Sequence, residues 1–206
     1  MIDLSELQRD ALVEIFNIGV GQAASSLSQI VGEPIMLSVP LLELLPGGHQ
    51  AEAIGTIVRS QRVCAVSQDF SGDMDARAFL FFPEGKTREI VRRMVGESVS
   101  AAELSEMEQE ALSEIGNIIL NACFSSLSDL LHTRFSSSLP AYHLGMVGEV
   151  LPTRKDAEEE LLLLLHIDFS LPSNEIHGYL VFLLTVPSFN ALLGQIDSFL
   201  ASAHGN

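Results

Sequence analysis

LSELQRDALVEIFNIGVGQAASSLSQIVGEPIMLSVP, Leu4 to Pro40, is matched 100 residues later by LSEMEQEALSEIGNIILNACFSSLSDLLHTRFSSSLP, Leu104 to Pro140. No gap is needed to align them. Residues 4, 5, 6, 11, 12, 14, 15, 17, 18, 25, 26, 27, 28, 38 and 40 recur unchanged, 15 of 37 positions. Ordinary composition gives about two or three identities in such a window. The chain is therefore a duplication, and that period is read before any local feature. It implies one domain, 1–206, made of two repeats, about 1–98 and 99–206.

Each copy opens as a long helix, predicted over 5–32 and 105–132. Leu12, Ile15, Ile18 and Leu27, with Leu112, Ile115, Ile118 and Leu127, supply the apolar side. Ser5 with Gln8, and Ser105 with Glu108, have the spacing of capping boxes. The opposite side carries Asp10, Glu14, Asn17, Gly21, Ser25 and Ser28, and then Glu110, Glu114, Asn117, Asn121, Ser125 and Ser128. Their steps of three and four keep them on one helix face. A solvated face explains one such stripe. It does not explain the same residue types twice, nor an Asn in mid-helix, where its side chain competes for backbone groups.

The rest of each copy reads as strands and a closing helix. Strands are expected over 35–45, 51–59, 63–70 and 76–82, with a turn at Pro46-Gly47-Gly48 and a hairpin at Ser60-Gln61-Arg62. A basic helix is expected over 86–95. In the second copy 133–150 supplies strand material, strands follow over 161–169 and 176–185, and a helix over 188–201, with a charged loop over 154–160. Asp69-Phe70-Ser71 and Asp168-Phe169-Ser170 extend the repeat beyond the helices. Strands following one another closely pair antiparallel. The expected fold is α+β: duplicated half-domains with pseudo-two-fold symmetry, one antiparallel sheet flanked by the long helices.

Composition narrows the function. The net charge is −16 and the only lysines are Lys86 and Lys155, which argues against nucleic acid and anionic membranes as partners. No apolar run approaches a membrane span, and the polar opening MIDLSELQRD does not read as a signal peptide. Cys64 and Cys123 lack metal or redox spacing and suggest reduced thiols in a cytoplasmic protein. The six histidines show no ligand spacing. Gly19-Val20-Gly21-Gln22-Ala23-Ala24 fits a dinucleotide fingerprint in letters only. It lies inside a helix, where glycines serve close packing or a partner's approach.

The pattern D-x3-E-x2-N-x22-P resembles the signature of the CheC/CheX/FliY phosphatases of bacterial chemotaxis. Asp10, Glu14, Asn17 and Pro40 match it in full; Glu110, Glu114, Asn117 and Pro140 match it with Glu in the first place. Two sites in this length resemble the CheC type more than CheX. FliY would carry an added switch-binding domain, which is not expected here. The resemblance implies hydrolysis of the aspartyl phosphate on a CheY-type response regulator. Asn17 and Asn117 would position the attacking water, and Glu14 and Glu114 would contact the regulator's lysine. Asp10, Glu110, Pro40, Pro140 and Asn121 would support them. No cofactor is expected on this chain, since Mg2+ would sit on the regulator. CheD is a further partner left open. The rival reading is a non-catalytic adaptor for a regulator, a CheD-like protein or the flagellar switch.

Overall fold

The computed structural model describes residues 4–46, 62–95, 101–151, 160–171 and 174–204. In chain order these form α1 (Glu6–Val31), β1 (Met36–Pro46), β2 (Arg62–Gly72), β3 (Ala76–Pro83), α2 (Arg88–Val95), α3 (Ala101–Leu131), β4 (Phe135–Ser137), β5 (Ala141–Met146), α4 (Val147–Val150), β6 (Glu160–Leu171), β7 (Asn174–Thr185) and α5 (Val186–His204). The expected strand over 51–59, the glycines after Pro46, the tip of the hairpin and most of the charged loop lie outside the described residues.

All strand pairs are antiparallel, in the order β1-β6-β7-β3-β2-β4, with β5 also on β2. One row across the sheet runs Leu42, Leu165, Leu180, Leu80, Val66, Tyr142. It reads the same from either end once each residue is exchanged for its counterpart in the other repeat. Leu80 pairs directly with Leu180, its own counterpart. This is the register a two-fold axis between β3 and β7 gives. Because β1 pairs with β6 and β4 and β5 with β2, each repeat completes the other's sheet.

Strand side chains alternate between two faces. Leu161, Leu163 and Leu165 join the helix-side core with Leu12, Ile15 and Phe16 of α1 and with Leu112, Ile115 and Phe124 of α3. Leu162 and Leu164 face the other way, with Phe79, Phe81 and Val181, under Val147 and Val150 of α4. Both faces are buried, which is why this strand is one apolar run. Phe16 stacks on Phe182 with ring centroids 5.1 Å apart, in the core and off the polar stripe. Helices α1 and α3 approach closely at Gly19, where a Cβ would stand 2.9 Å from the Cα of Cys123. Gly21 faces open space.

Three local expectations need correction. The capping box at Ser5 forms, with Gln8 N–H donating to Ser5 Oγ and Ser5 N–H to Gln8 Oε1. The one at Ser105 does not: α3 already starts at Ala101, because Ala101 and Ala102 are good helix formers that carry it upstream. Glu108 instead accepts the Thr87 hydroxyl at 2.9 Å. The strand material over 133–150 breaks into β4 and β5 and ends in the helical turn α4, where the Glu149 carboxylate accepts the Met146 N–H at 2.9 Å. Helix α2 begins at Arg88, leaving Lys86 in the preceding turn.

Candidate active site

Each motif is built where a strand returns along the helix that precedes it. In the first repeat α1 ends at Gly32, whose left-handed backbone (φ 76°) turns the chain back. Ser28 Oγ accepts the Ile35 N–H at 2.9 Å and fixes the start of the return. Strand β1 then reaches Asn17, which explains the distance in sequence from Asn17 to Pro40. Here the ladder with β6 slips: Ser38 pairs with Asp168 and Leu41 with His166, so Val39 and Pro40 both oppose Ile167. Proline has no N–H to give, and a bulge is its usual place within a sheet. Asn17 serves the backbone group the ladder leaves over. Its Oδ1 accepts the Val39 N–H at 2.9 Å, and its Nδ2 donates to the Val39 carbonyl at 3.4 Å.

The second repeat has the same bulge. Ser138 N–H donates to the Asp69 carbonyl and Ala141 pairs with Ser67, so Leu139 and Pro140 oppose Gln68. The surroundings of its Asn differ. Val39 is buried, but Leu139 is 88% exposed. Asn117 Oδ1 accepts from Asn121 Nδ2 at 2.7 Å and from Gln68 Nε2 at 3.2 Å. Gln68 is 2% exposed and also donates to the Ser138 carbonyl at 3.0 Å. Beyond Asn121, Ser125 and Ser128 help line a small cleft of about 110 Å³ over Phe70 and Phe124.

A primary carboxamide has two N–H groups and two acceptor lone pairs. Asn17 spends one of each on Val39 and keeps one of each. Asn117 spends both acceptor places and keeps both N–H groups. Each amide is half-buried and held by fixed partners. Asp10, Glu14, Glu110 and Glu114 are exposed beside them and make no hydrogen bond or ion pair with a described residue. Pro40 is exposed and Pro140 half-buried. The thiols are not candidates. Burial pushes Cys123 up to about 12 and raises Cys64 as well. Among the described residues no group of three or more His, Cys, Asp or Glu is placed to hold a metal.

The structure thus brings Asn17 to the Pro40 bulge and Asn117 to the strand opposite the Pro140 bulge, with the motif carboxylates exposed along the same helices. Sequence reasoning missed Gln68. The available signal was a Gln inside the apolar strand β2 where the other repeat has Ile167.

No family model matches the chain. It is 28% identical over 151 residues to the CheY-P phosphatase CheC of Bacillus subtilis (strain 168), covering 72% of this chain and 71% of that one. It is 24% identical over 176 residues to the flagellar motor switch phosphatase FliY of the same organism, covering 84% of this chain but 45% of that one. The crystal structure of Thermotoga maritima FliY superposes with a TM-score of 0.77 at 20% identity, covering 96% and 100% of the two chains. The chain is thus similar to proteins of the CheC/CheX/FliY family. The fold recurs in further solved structures. A CheX–CheY–BeF3–Mg complex from Borrelia burgdorferi shares it with this chain at a TM-score of 0.50 and 18% identity, over 84% and 97% of the chains. So does a FliG–FliM complex from Helicobacter pylori, at 0.67 and 13%, over 93% and 100%.

Proposed function

We propose that this protein is a cytoplasmic phosphatase that hydrolyses the aspartyl phosphate of a CheY-type response regulator, with one reaction site in each repeat of a single two-repeat domain. One observation carries the reading: in both repeats an exposed Glu, without a partner among the described residues, stands one turn from an Asn whose amide is held in place. An acyl phosphate is already reactive, so the protein's task is to align water in line with phosphorus. A neutral carboxamide does this beside phosphate without repelling it. Glu14 and Glu114 reach outward to the regulator's lysine, where a charge-assisted hydrogen bond fixes the docking angle. The Mg2+ belongs to the regulator.

The test is phosphate release from a phosphorylated CheY-type regulator. Asn17→Ala and Asn117→Ala each leave one site working, and the double variant loses about 10²–10³ in rate, the usual effect of removing one group that stabilises the transition state. Glu14→Lys with Glu114→Lys raises KM, because each lysine opposes the regulator's own. A double Asn variant with normal turnover defeats the assignment.

The likeness to FliM favours a second reading, an adaptor of the flagellar switch. It expects regulator binding with no phosphate release by the wild-type protein.

A further inference from the structure

We propose that Gln68, together with Asn121, is a positioning residue of the second site: their N–H groups occupy the oxygen of Asn117 and turn its Nδ2 outward. The inference rests on the phosphatase reading above. It starts from the bulge that both repeats share. In the first, the peptide of Val39 lies against Asn17 and fixes both ends of its carboxamide. The residue opposite that bulge is Ile167, fully buried and without any polar group to contribute. In the second, no hydrogen bond joins Asn117 to Leu139, and Leu139 stands out in solvent.

An Asn with nothing to distinguish its two ends can turn over about its last bond. Gln68 removes that freedom. It sits at the register of Ile167, it is almost fully buried, and both its N–H groups are committed, one to Asn117 Oδ1 and one to the Ser138 carbonyl. Asn121 supplies the second donor to the same oxygen, and its Nδ2 also lies 3.4 Å from Gln68 Oε1. The three carboxamides close a network across the repeats, from β2 of the first to α3 of the second. With Oδ1 filled twice, only N–H groups of Asn117 are left for water. One of them donates to a lone pair of the water and leaves the other lone pair free to attack phosphorus; the P–O bond to the regulator's aspartate breaks, the carboxylate leaves, and the water's proton goes to the phosphate released. The first site offers an N–H and a lone pair instead. The two sites therefore hold water differently, although their motif residues are the same.

The experiment isolates the second site with Glu14→Lys, which weakens docking at the first without touching Val39, at regulator concentrations well below the first site's raised KM. In that protein Gln68→Met keeps the volume and removes both donors. The expected result is a kcat lower by about tenfold or more, from loss of alignment. KM should stay within about twofold, because Gln68 does not touch the regulator. Asn121→Ala, a helix-favouring change that folds safely, lowers kcat in the same way. Asn117→Asp, which still accepts from both partners but presents no N–H, is inactive at this site. A wild-type protein without phosphate release, or a Glu14→Lys protein without turnover, defeats the phosphatase reading or its second site and leaves Gln68 nothing to serve. Turnover that survives both Gln68→Met and Asn121→Ala defeats the positioning role alone. So does a loss that appears in KM.

Discussion

Asn17 and Asn117 occupy the same motif position, yet the fold should miss Asn17 more. In Asn17→Ala the Val39 N–H loses its partner. Val39 is 1% exposed, and the bulge leaves its N–H no ladder acceptor. An unpaired buried donor costs about 1–3 kcal/mol. The bond to the Val39 carbonyl, at 3.4 Å, adds little. Alanine in mid-helix returns about 0.5 kcal/mol of helix propensity. The net loss is about 1–2 kcal/mol. In Asn117→Ala, Asn121 keeps the backbone carbonyl of residue 117 at 2.8 Å and Gln68 keeps the Ser138 carbonyl, but the second Gln68 N–H loses Asn117 Oδ1; carried on a side chain, it can turn towards another acceptor, as the backbone N–H of Val39 cannot. With the same gain in propensity, the net loss is smaller than at Asn17, about 0–1 kcal/mol. A domain of this size loses about 2–4 °C of Tm per kcal/mol. Thermal unfolding followed by circular dichroism should therefore place Asn17→Ala about 2–8 °C below wild type and Asn117→Ala above that variant, within about 4 °C of wild type. Asn17→Asp keeps the acceptor for Val39 and should recover most of the loss. Equal midpoints for the two alanine variants, or a lower one for Asn117→Ala, would refute the argument that Val39 depends on Asn17.

Two further outcomes test the packing and the charge. Gly116→Ala places a Cβ 2.5 Å from the Val66 Cβ, so α3 must lift from β2; overpacking of this kind costs about 1–3 kcal/mol, read as a lower unfolding midpoint, and an unchanged midpoint contradicts the contact. His143, bonded to Ser67 Oγ at 2.8 Å, has its pKa lowered from 6.5, first by burial and then by the charge of Arg77. The unfolded chain then takes up the proton first, so stability present above that value is lost as the pH falls through the lowered one. His143→Gln should flatten the fall in unfolding midpoint below about pH 6.5, and a slope that does not change would exclude His143 as its source.

The long helices, most strands and the motif faces were legible because they depend on short-range periodicity and on a repeat aligned without gaps. The α+β sheet was legible from strands too close in sequence to pair in parallel. Other features depend on what meets across the sheet. That α3 begins at Ala101 follows from the residues before Ser105 being as helix-competent as those after it. That 147–150 turns into a helix follows from Glu149 closing back on Met146. Gln68 lies 49 residues from Asn117 and in the other repeat. Only the order β1-β6-β7-β3-β2 places it there, because that order makes each repeat finish the other's edge.

The same order explains why a duplicated motif does not give duplicated surroundings. Pro40 and Pro140 each remove an N–H from a ladder, and each makes a bulge beside a helix Asn. The bulge offers two solutions. Its first residue can turn inward, as Val39 does, so that its peptide meets the helix and needs the Asn to satisfy it. Or it can turn outward, as Leu139 does, so that the Asn is released and a residue on the facing strand must hold it. Ile167 can face only the first arrangement, since an apolar side chain cannot replace the missing hydrogen bonds. Gln68 permits the second. The residue opposite the bulge therefore decides which duties the Asn carries. At position 17 the amide is part of the fold, and any loss of activity on substitution contains a loss of structure. At position 117 it holds side chains only, so its substitution disturbs the fold less and reports more directly on the reaction. A comparison of the two sites that ignores this difference would credit chemistry to the first site that belongs to Val39.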